Sequence, residues 1–266
     1  MKFLSNSLLL LRRWRSRRRW NWFRGNYEKW AEARKASAGY DDGAVLARVV
    51  SAAREVRAGR ALWDRDGATF NAPQYNEPLI ATLKEVAKMK DGVLDLLDFG
   101  GGLGCTWWQH RGVLADFAKV RWRVVEQPHY VFAGQEFASD VLSFHLSLGE
   151  VQRTSPCSVI LLSGVLAYLE KPYELLNEIN ESGFSHVLVD RTAFLLCGED
   201  RLVVQHTPPE LGGGSYPIWL FNRANVIAAL GVNFSIKAEW PGADVIDARV
   251  NYQGLYFQRI TPSHPA

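Results

Sequence analysis

The 266-residue sequence predicts an α/β protein with a mostly parallel seven-stranded sheet, an antiparallel C-terminal strand pair and a helical N-terminal cap. Three observations predict it. From residue 93 onward, short apolar runs alternate with amphipathic segments, the pattern of a parallel sheet covered by helices on both faces. Near the C-terminus, "NFSIKAEWPG" and "YQGLYFQRI" follow one another with no helix between them, so they read as an antiparallel pair. Residues 21–70 carry helical spacing broken by loops, and a further helix follows near Pro78.

Taken in chain order, residues 1–24 form a basic arm. It holds eight basic residues and no acid, whereas the whole chain is only +3, so everything after the arm is net acidic. Its apolar part precedes its charges, the reverse of a secretory signal. No run approaches the roughly 18–20 apolar residues of a membrane span. In a helix, Leu4, Leu8, Leu11 and Trp14 share one face, which suits a helix packed on its own domain or laid on an anionic membrane surface. A frayed basic tail is the plainer alternative.

Residues 25–90 read as the helical cap, through "YEKWAEARKA", "GAVLARVVSAAREVRAG" and "APQYNEPLIATLKEVAKMK". Residues 91–262 read as the main domain, with strands at 93–99, 120–126, 141–145, 157–163 and 185–190 and helices at 105–118 and 172–181. The three cysteines, Cys105, Cys157 and Cys197, have neither disulfide-framework nor zinc spacing, and no HExxH pair exists among six histidines. A reduced cytoplasmic setting and no metal site are the expectation.

The most informative stretch is "LDLLDFGGGLG", residues 94–104. Asp98 closes a strand, Gly100, Gly102 and Gly104 follow at alternate positions, and a helix begins near Cys105. Glycines at a strand–turn–helix junction let the backbone approach a ligand while the helix amides point at it. Glu126 ends the next strand, where its carboxylate can accept both hydroxyls of a ribose. A dinucleotide site wants a third glycine at position 105, which is Cys105. The motif is D-x-G-x-G-x-G, the form that faces the amino-acid part of S-adenosylmethionine (SAM) through its acid and its glycine backbone. A turn that binds nothing is the alternative, and no Gly-Lys-Ser/Thr supports a P-loop.

Seven stretches, "FRGNYEKWAEARKASAGYD", "DFGGGLG", "VVEQPHYVFAG", "LLSGVLAYLEKP", "VLVDRTAF", "TPPE" and "SYPIWLF", occur in order from about residue 22 to 260. Together they resemble a bacterial family of SAM-dependent methyltransferases whose genes often lie among surface-polysaccharide genes. The resemblance implies a Rossmann-like class I methyltransferase fold and SAM as cofactor. It also implies that Ser163 and Gly164 border the sulfonium end and that Gln127 and Ser147 meet adenine. It brings no established acceptor.

Methyl transfer is an in-line displacement, so the protein chiefly positions two partners, and a hydroxyl acceptor also needs a base. Three segments beyond the strand ends are candidates. Asp190 is a base or orienter and Arg191 a substrate contact in "VDRTAF"; His206 titrates near neutral pH in "QHTPPE"; Tyr216 is a catalytic and Trp219 a sugar-stacking candidate in "GGGSYPIWLF". Tyr75 and Tyr168 are lesser candidates for closing over the cofactor. The expected acceptor is a small molecule or a sugar-containing intermediate. The rival reading is a non-catalytic SAM-binding partner or regulator, favoured by the lack of an unmistakable base. Nucleic acid is disfavoured, because the basic residues sit in one arm and no base-flipping N/D-P-P-Y motif follows the fourth strand.

Overall fold

A computed structural model of the protein describes residues 21–39, 42–208, 213–244 and 246–260. Residues 1–20 of the basic arm and Glu210 of "TPPE" lie outside the described residues. The chain enters through β1 (Phe23–Tyr27), α1 (Trp30–Lys35), α2 (Asp42–Arg57), β2 (Trp63–Arg65), β3 (Ala68–Phe70) and α3 (Glu77–Lys88). Strand and helix then alternate: β4 (Val93–Phe99), α4 (Cys105–Leu114), β5 (Lys119–Val125), α5 (Pro128–Gly134), β6 (Leu142–His145), α6 (Leu148–Thr154), β7 (Val159–Ser163), α7 (Pro172–Glu181) and β8 (His186–Leu195). The pair β9 (Arg201–His206) and β10 (Ser215–Leu220) intervenes before α8 (Arg223–Leu230), β11 (Phe234–Pro241) and β12 (Val250–Arg259).

The large sheet has the order β6-β5-β4-β7-β8-β12-β11. Numbered by their place in the chain, its strands run 3-2-1-4-5-7-6. Six of them run in one direction, and β12 is antiparallel to both of its neighbours. This is the doubly wound order with its switch point between the first and fourth strands, extended by a reversed last strand. It is the Rossmann-like class I methyltransferase arrangement.

Alternation along the strands puts a core on each face. Leu94 and Leu96 of β4 meet Trp122, Val124 and the Leu79, Leu83 and Val86 stripe of α3. Leu97 of the same strand meets Ile160, Leu162 and the Leu176 and Ile179 stripe of α7. Helix α3 starts where it does because Asn76 caps it: the Asn76 Oδ1 accepts from the Leu79 N–H at 3.3 Å, and Pro78 sits in the first turn where its missing N–H costs nothing.

Two parts of the cap and one of the main domain depart from the sequence reading. "YEKWAEARKA" is helical only over Trp30–Lys35, because the chain just before it is strand β1. That strand pairs with β9, and β9 with β10, in a separate three-stranded antiparallel sheet. The segment "GGGSYPIWLF", placed beyond the strand ends by the sequence reading, is thus strand β10 over Ser215–Leu220. Residues 63–70, read as helix or loop, are a hairpin: Asp66 and Gly67 both have positive φ (52° and 77°), the two-residue turn that matches strand twist.

Leu83 is 1% exposed and sits between α3 and the sheet. Leu83→Ala is expected to destabilise the fold by about 3 kcal/mol, the transfer and cavity cost of a core leucine. Chemical denaturation reads this as a lowered midpoint with an unchanged slope; a loss under about 1 kcal/mol would mean that α3 is not docked as described.

Candidate active site

The glycine turn sits at the carboxyl end of β4, beside the switch point. Most of its bareness is explained by protein. A side chain at Gly100 would run into Val165, one at Gly101 into the Asp98 carboxyl, and one at Gly104 would crowd Leu142. Gly102 differs. It has φ +59°, and nothing lies within 4 Å of where its Cβ would be. The Gly102 N–H donates to Glu126 Oε1 at 3.3 Å, and the Gln127 N–H donates to Oε2 at 2.7 Å. Glu126 therefore stands at the end of β5, pinned by two backbone amides, facing the one open position of the turn. Burial raises its pKa, and the two amides oppose that rise.

Asp98 does not face the cleft. It is 1% exposed beneath the turn, and its Oδ2 accepts from Trp122 Nε1 at 2.9 Å. Burial pushes its pKa up to about 7, with Glu126 adding to the rise and Trp122 opposing it. A carboxyl group in this place shapes the turn from below rather than touching a ligand. Gln127 is exposed at the start of α5, and Ser147 is exposed with its Oγ accepting from the Glu150 N–H as the cap of α6.

On the other side of the turn, a pocket is lined by Gly100 and Gly101, by Ser163 and Asp190 at the ends of β7 and β8, and by Arg191. Asp190 is 1% exposed, and three donors converge on its carboxylate: Trp240 Nε1 at 2.9 Å, Asn76 Nδ2 at 3.1 Å and Ser163 Oγ at 3.2 Å. This saturation makes Asp190 an anchor rather than a free base. Arg191 has φ +49°, rare for a long side chain, and its Nε donates to Asp244 Oδ2 at 3.0 Å.

The other acceptor-side candidates lie apart from this pocket. His206 ends β9 with its backbone N–H on the Trp22 carbonyl, and burial together with Arg24 lowers its pKa. Tyr216 stacks obliquely on Tyr168 at 5.4 Å, and its hydroxyl lies 3.3 Å from Thr207 Oγ1. Trp219 is partly buried: it packs against the small core of Ala33, Leu202 and Val204, and its buried Nε1 has no partner among the described residues. Tyr75 lies along α4, against His110 and toward Gly112.

Several lining residues escape the sequence reading: Arg65, Asn76, Cys105, Thr106, Gln109 and His110. His110 is 2% exposed; its Nδ1 faces the Thr106 carbonyl at 2.8 Å, and its Nε2 accepts from the Asn76 N–H at 3.1 Å. Both ring nitrogens are thereby used, and burial lowers the pKa, so the neutral tautomer protonated at Nδ1 is held. The Asp-Gly turn of "WDRDGATF" was the readable sign of the hairpin that delivers Arg65. Among the described residues there is no cluster of His, Cys, Asp or Glu fit to hold a metal, and no helix long and apolar enough to cross a membrane.

No family model and no curated protein matches the sequence. Among solved structures, the N-terminal domain of EvdMO1, determined with S-adenosylhomocysteine (SAH) and D-fucose, is 15% identical over 84% of this chain and 98% of its own, with a TM-score of 0.47. The 1,6-didemethyltoxoflavin-N1-methyltransferase of Burkholderia thailandensis is 14% identical over 84% and 92%, with a TM-score of 0.44. The [4+2]-cyclase SpnF is 14% identical over 82% and 94%, with a TM-score of 0.49.

The raised Asp98 pKa has a consequence for stability. The native state binds a proton that the unfolded chain, with an Asp pKa near 4, releases. The stabilisation is full below about pH 4 and is lost as pH rises through about 7. Asp98→Asn, which keeps an acceptor for Trp122, should therefore gain on the wild type between pH 4 and 8 in denaturation experiments; a difference independent of pH would rule out the protonated carboxyl.

Proposed function

We propose that the protein is a SAM-dependent methyltransferase acting on a small-molecule or sugar-containing acceptor, with surface-glycan biosynthesis as its setting. The observation that carries the reading is the open Gly102 position set against the amide-pinned Glu126 carboxylate. A nucleoside entering there meets bare backbone on one side and, on the other, a carboxylate whose remaining lone pairs suit vicinal ribose hydroxyls. Cys105 in place of a third glycine argues against a pyrophosphate-bearing dinucleotide.

Bound SAM supplies a methyl group on a good leaving group. What falls to the chain is placement: Glu126 fixes the ribose, and Ser163 and the glycine turn border the space between cofactor and acceptor. Asp190 is buried and accepts three hydrogen bonds, and both ring nitrogens of buried His110 are engaged, so neither stands ready as a base. This favours an acceptor whose lone pair is already available, such as an amine, over an unactivated hydroxyl. The non-catalytic alternative, binding without turnover, is separated by the same cofactor titration followed by an assay for SAH release. A cytoplasmic location belongs to this proposal. The basic arm, as a contact to an anionic membrane surface, is compatible with it.

Calorimetric titration with SAM, SAH and NAD tests the reading. Micromolar binding of the first two and none of NAD is expected. Glu126→Gln should weaken both by roughly tenfold or more, as befits a charge-assisted contact of about 1.5–3 kcal/mol. Gly102→Arg should abolish binding by filling the open position. If neither SAM nor SAH binds the wild type, the proposal falls.

A further inference from the structure

Two guanidinium groups, Arg65 from the β2–β3 hairpin and Arg191 from the end of β8, line the same pocket beside Gly100, Gly101 and Ser163. Each is held from one side only. Arg65 Nη2 donates to the neutral Gln109 Oε1 at 2.8 Å, and its guanidinium lies 5.1 Å from the Trp63 ring centre. Arg191 is held through Nε by Asp244, with Nη1 3.7 Å from where a Gly164 Cβ would be. The remaining N–H groups of both make no hydrogen bond within the described residues and remain reachable from solvent.

Bringing two like charges together in a half-buried pocket costs free energy. Burial and the neighbouring Arg191 both lower the Arg65 pKa. The nearby acids offset part of this cost: Asp244 and Asp66 hold the Arg191 pKa above its ordinary value, and they act on Arg65 more weakly than burial does. None of them bridges the two guanidinium groups by a hydrogen bond: Asp244 pairs with Arg191, Asp190 accepts from three other donors, Asp66 is exposed on the hairpin turn, and Asp64 is 3% exposed with its pKa pushed up to about 6 by burial. Arg191 also occupies the left-handed backbone region, a strain that persists only where the surroundings impose it. Fixed guanidinium forks, spare donors and a shared pocket are the elements of a site for a planar oxyanion.

We propose that Arg65 and Arg191 together bind a carboxylate at the junction between the glycine turn and the acceptor side, a proposal that rests on the methyltransferase reading. The carboxylate comes from one of two sources, the amino-acid group of SAM or an acid group on the acceptor. Arg65→Gln and Arg191→Gln are titrated with SAH and with 5′-methylthioadenosine, the same nucleoside thioether without the amino-acid part. If the cofactor is the source, both variants lose roughly tenfold or more in SAH affinity and keep that for methylthioadenosine, which also shows them folded. If the acceptor is the source, SAH binding is unchanged. In SAH-saturated wild type, the side-chain Nε–H resonances of Arg65 and Arg191 then shift saturably with sodium acetate and not with sodium chloride. Unchanged SAH affinity with no saturable acetate shift overturns the proposal. If the wild type binds neither SAH nor methylthioadenosine, the methyltransferase reading fails, and the acetate titration of ligand-free protein still decides the anion site.

Discussion

The buried Asp190 carboxylate is the interaction on which the site depends. Placing a carboxylate at 1% exposure is tolerable only if it is hydrogen-bonded, and here three donors from three elements reach it. Ser163 brings the end of β7, Trp240 the end of β11, and Asn76 the entry to α3. The cap is thereby fixed to the carboxyl edge of the sheet next to the switch point. The coupling runs further, because the Asn76 N–H also holds His110, which belongs to α4, the helix that leaves the glycine turn. Loss of any one donor leaves a buried acceptor short and frees one wall of the pocket.

The large sheet was legible because its signals are local. Apolar runs bounded by turns mark β4, β5, β6 and β7, and the limits of α7 follow from Pro172 at its start and Ser182 after its end. The small sheet was not legible for a physical reason. β1 is "FRGNY", with a glycine and an asparagine inside it and one buried residue in five; it is a strand only because β9 offers it an edge. β9 itself, "RLVVQH", carries a strand composition, but the Pro-Pro and triple-glycine stretch after it carries loop signals, and its pairing with the distant β1 leaves no local signal.

The glycine turn shows how one motif can serve two constraints. Read as sequence, four glycines in five positions all point at a ligand. In the structure three of them make room for Val165, Asp98 and Leu142, and only Gly102 opens outward. The same bare backbone thus lets the turn pack onto its own sheet and leaves a single opening opposite Glu126. The acid of the motif follows this logic, since Asp98 supports the turn from beneath through Trp122 instead of meeting a ligand.

The two halves of the site differ in how they are encoded, and this bears on why the acceptor resists a reading from sequence. The glycine-turn side is built from residues 98–104 and 126–127, one β–α turn and the end of the next strand. The pocket on the other side of the turn is built from Arg65, Asn76, Gln109 and Arg191, delivered by a hairpin, a helix cap, a helix face and a strand end. No spacing rule connects those four positions, because they come from four separate elements of the chain. Their chemistry is nevertheless specific once assembled: two cations held by neutral or single-sided partners, beside acids already satisfied. A fold can be shared while this half changes residue by residue, so what the pocket binds follows from its own donors and not from the sheet order.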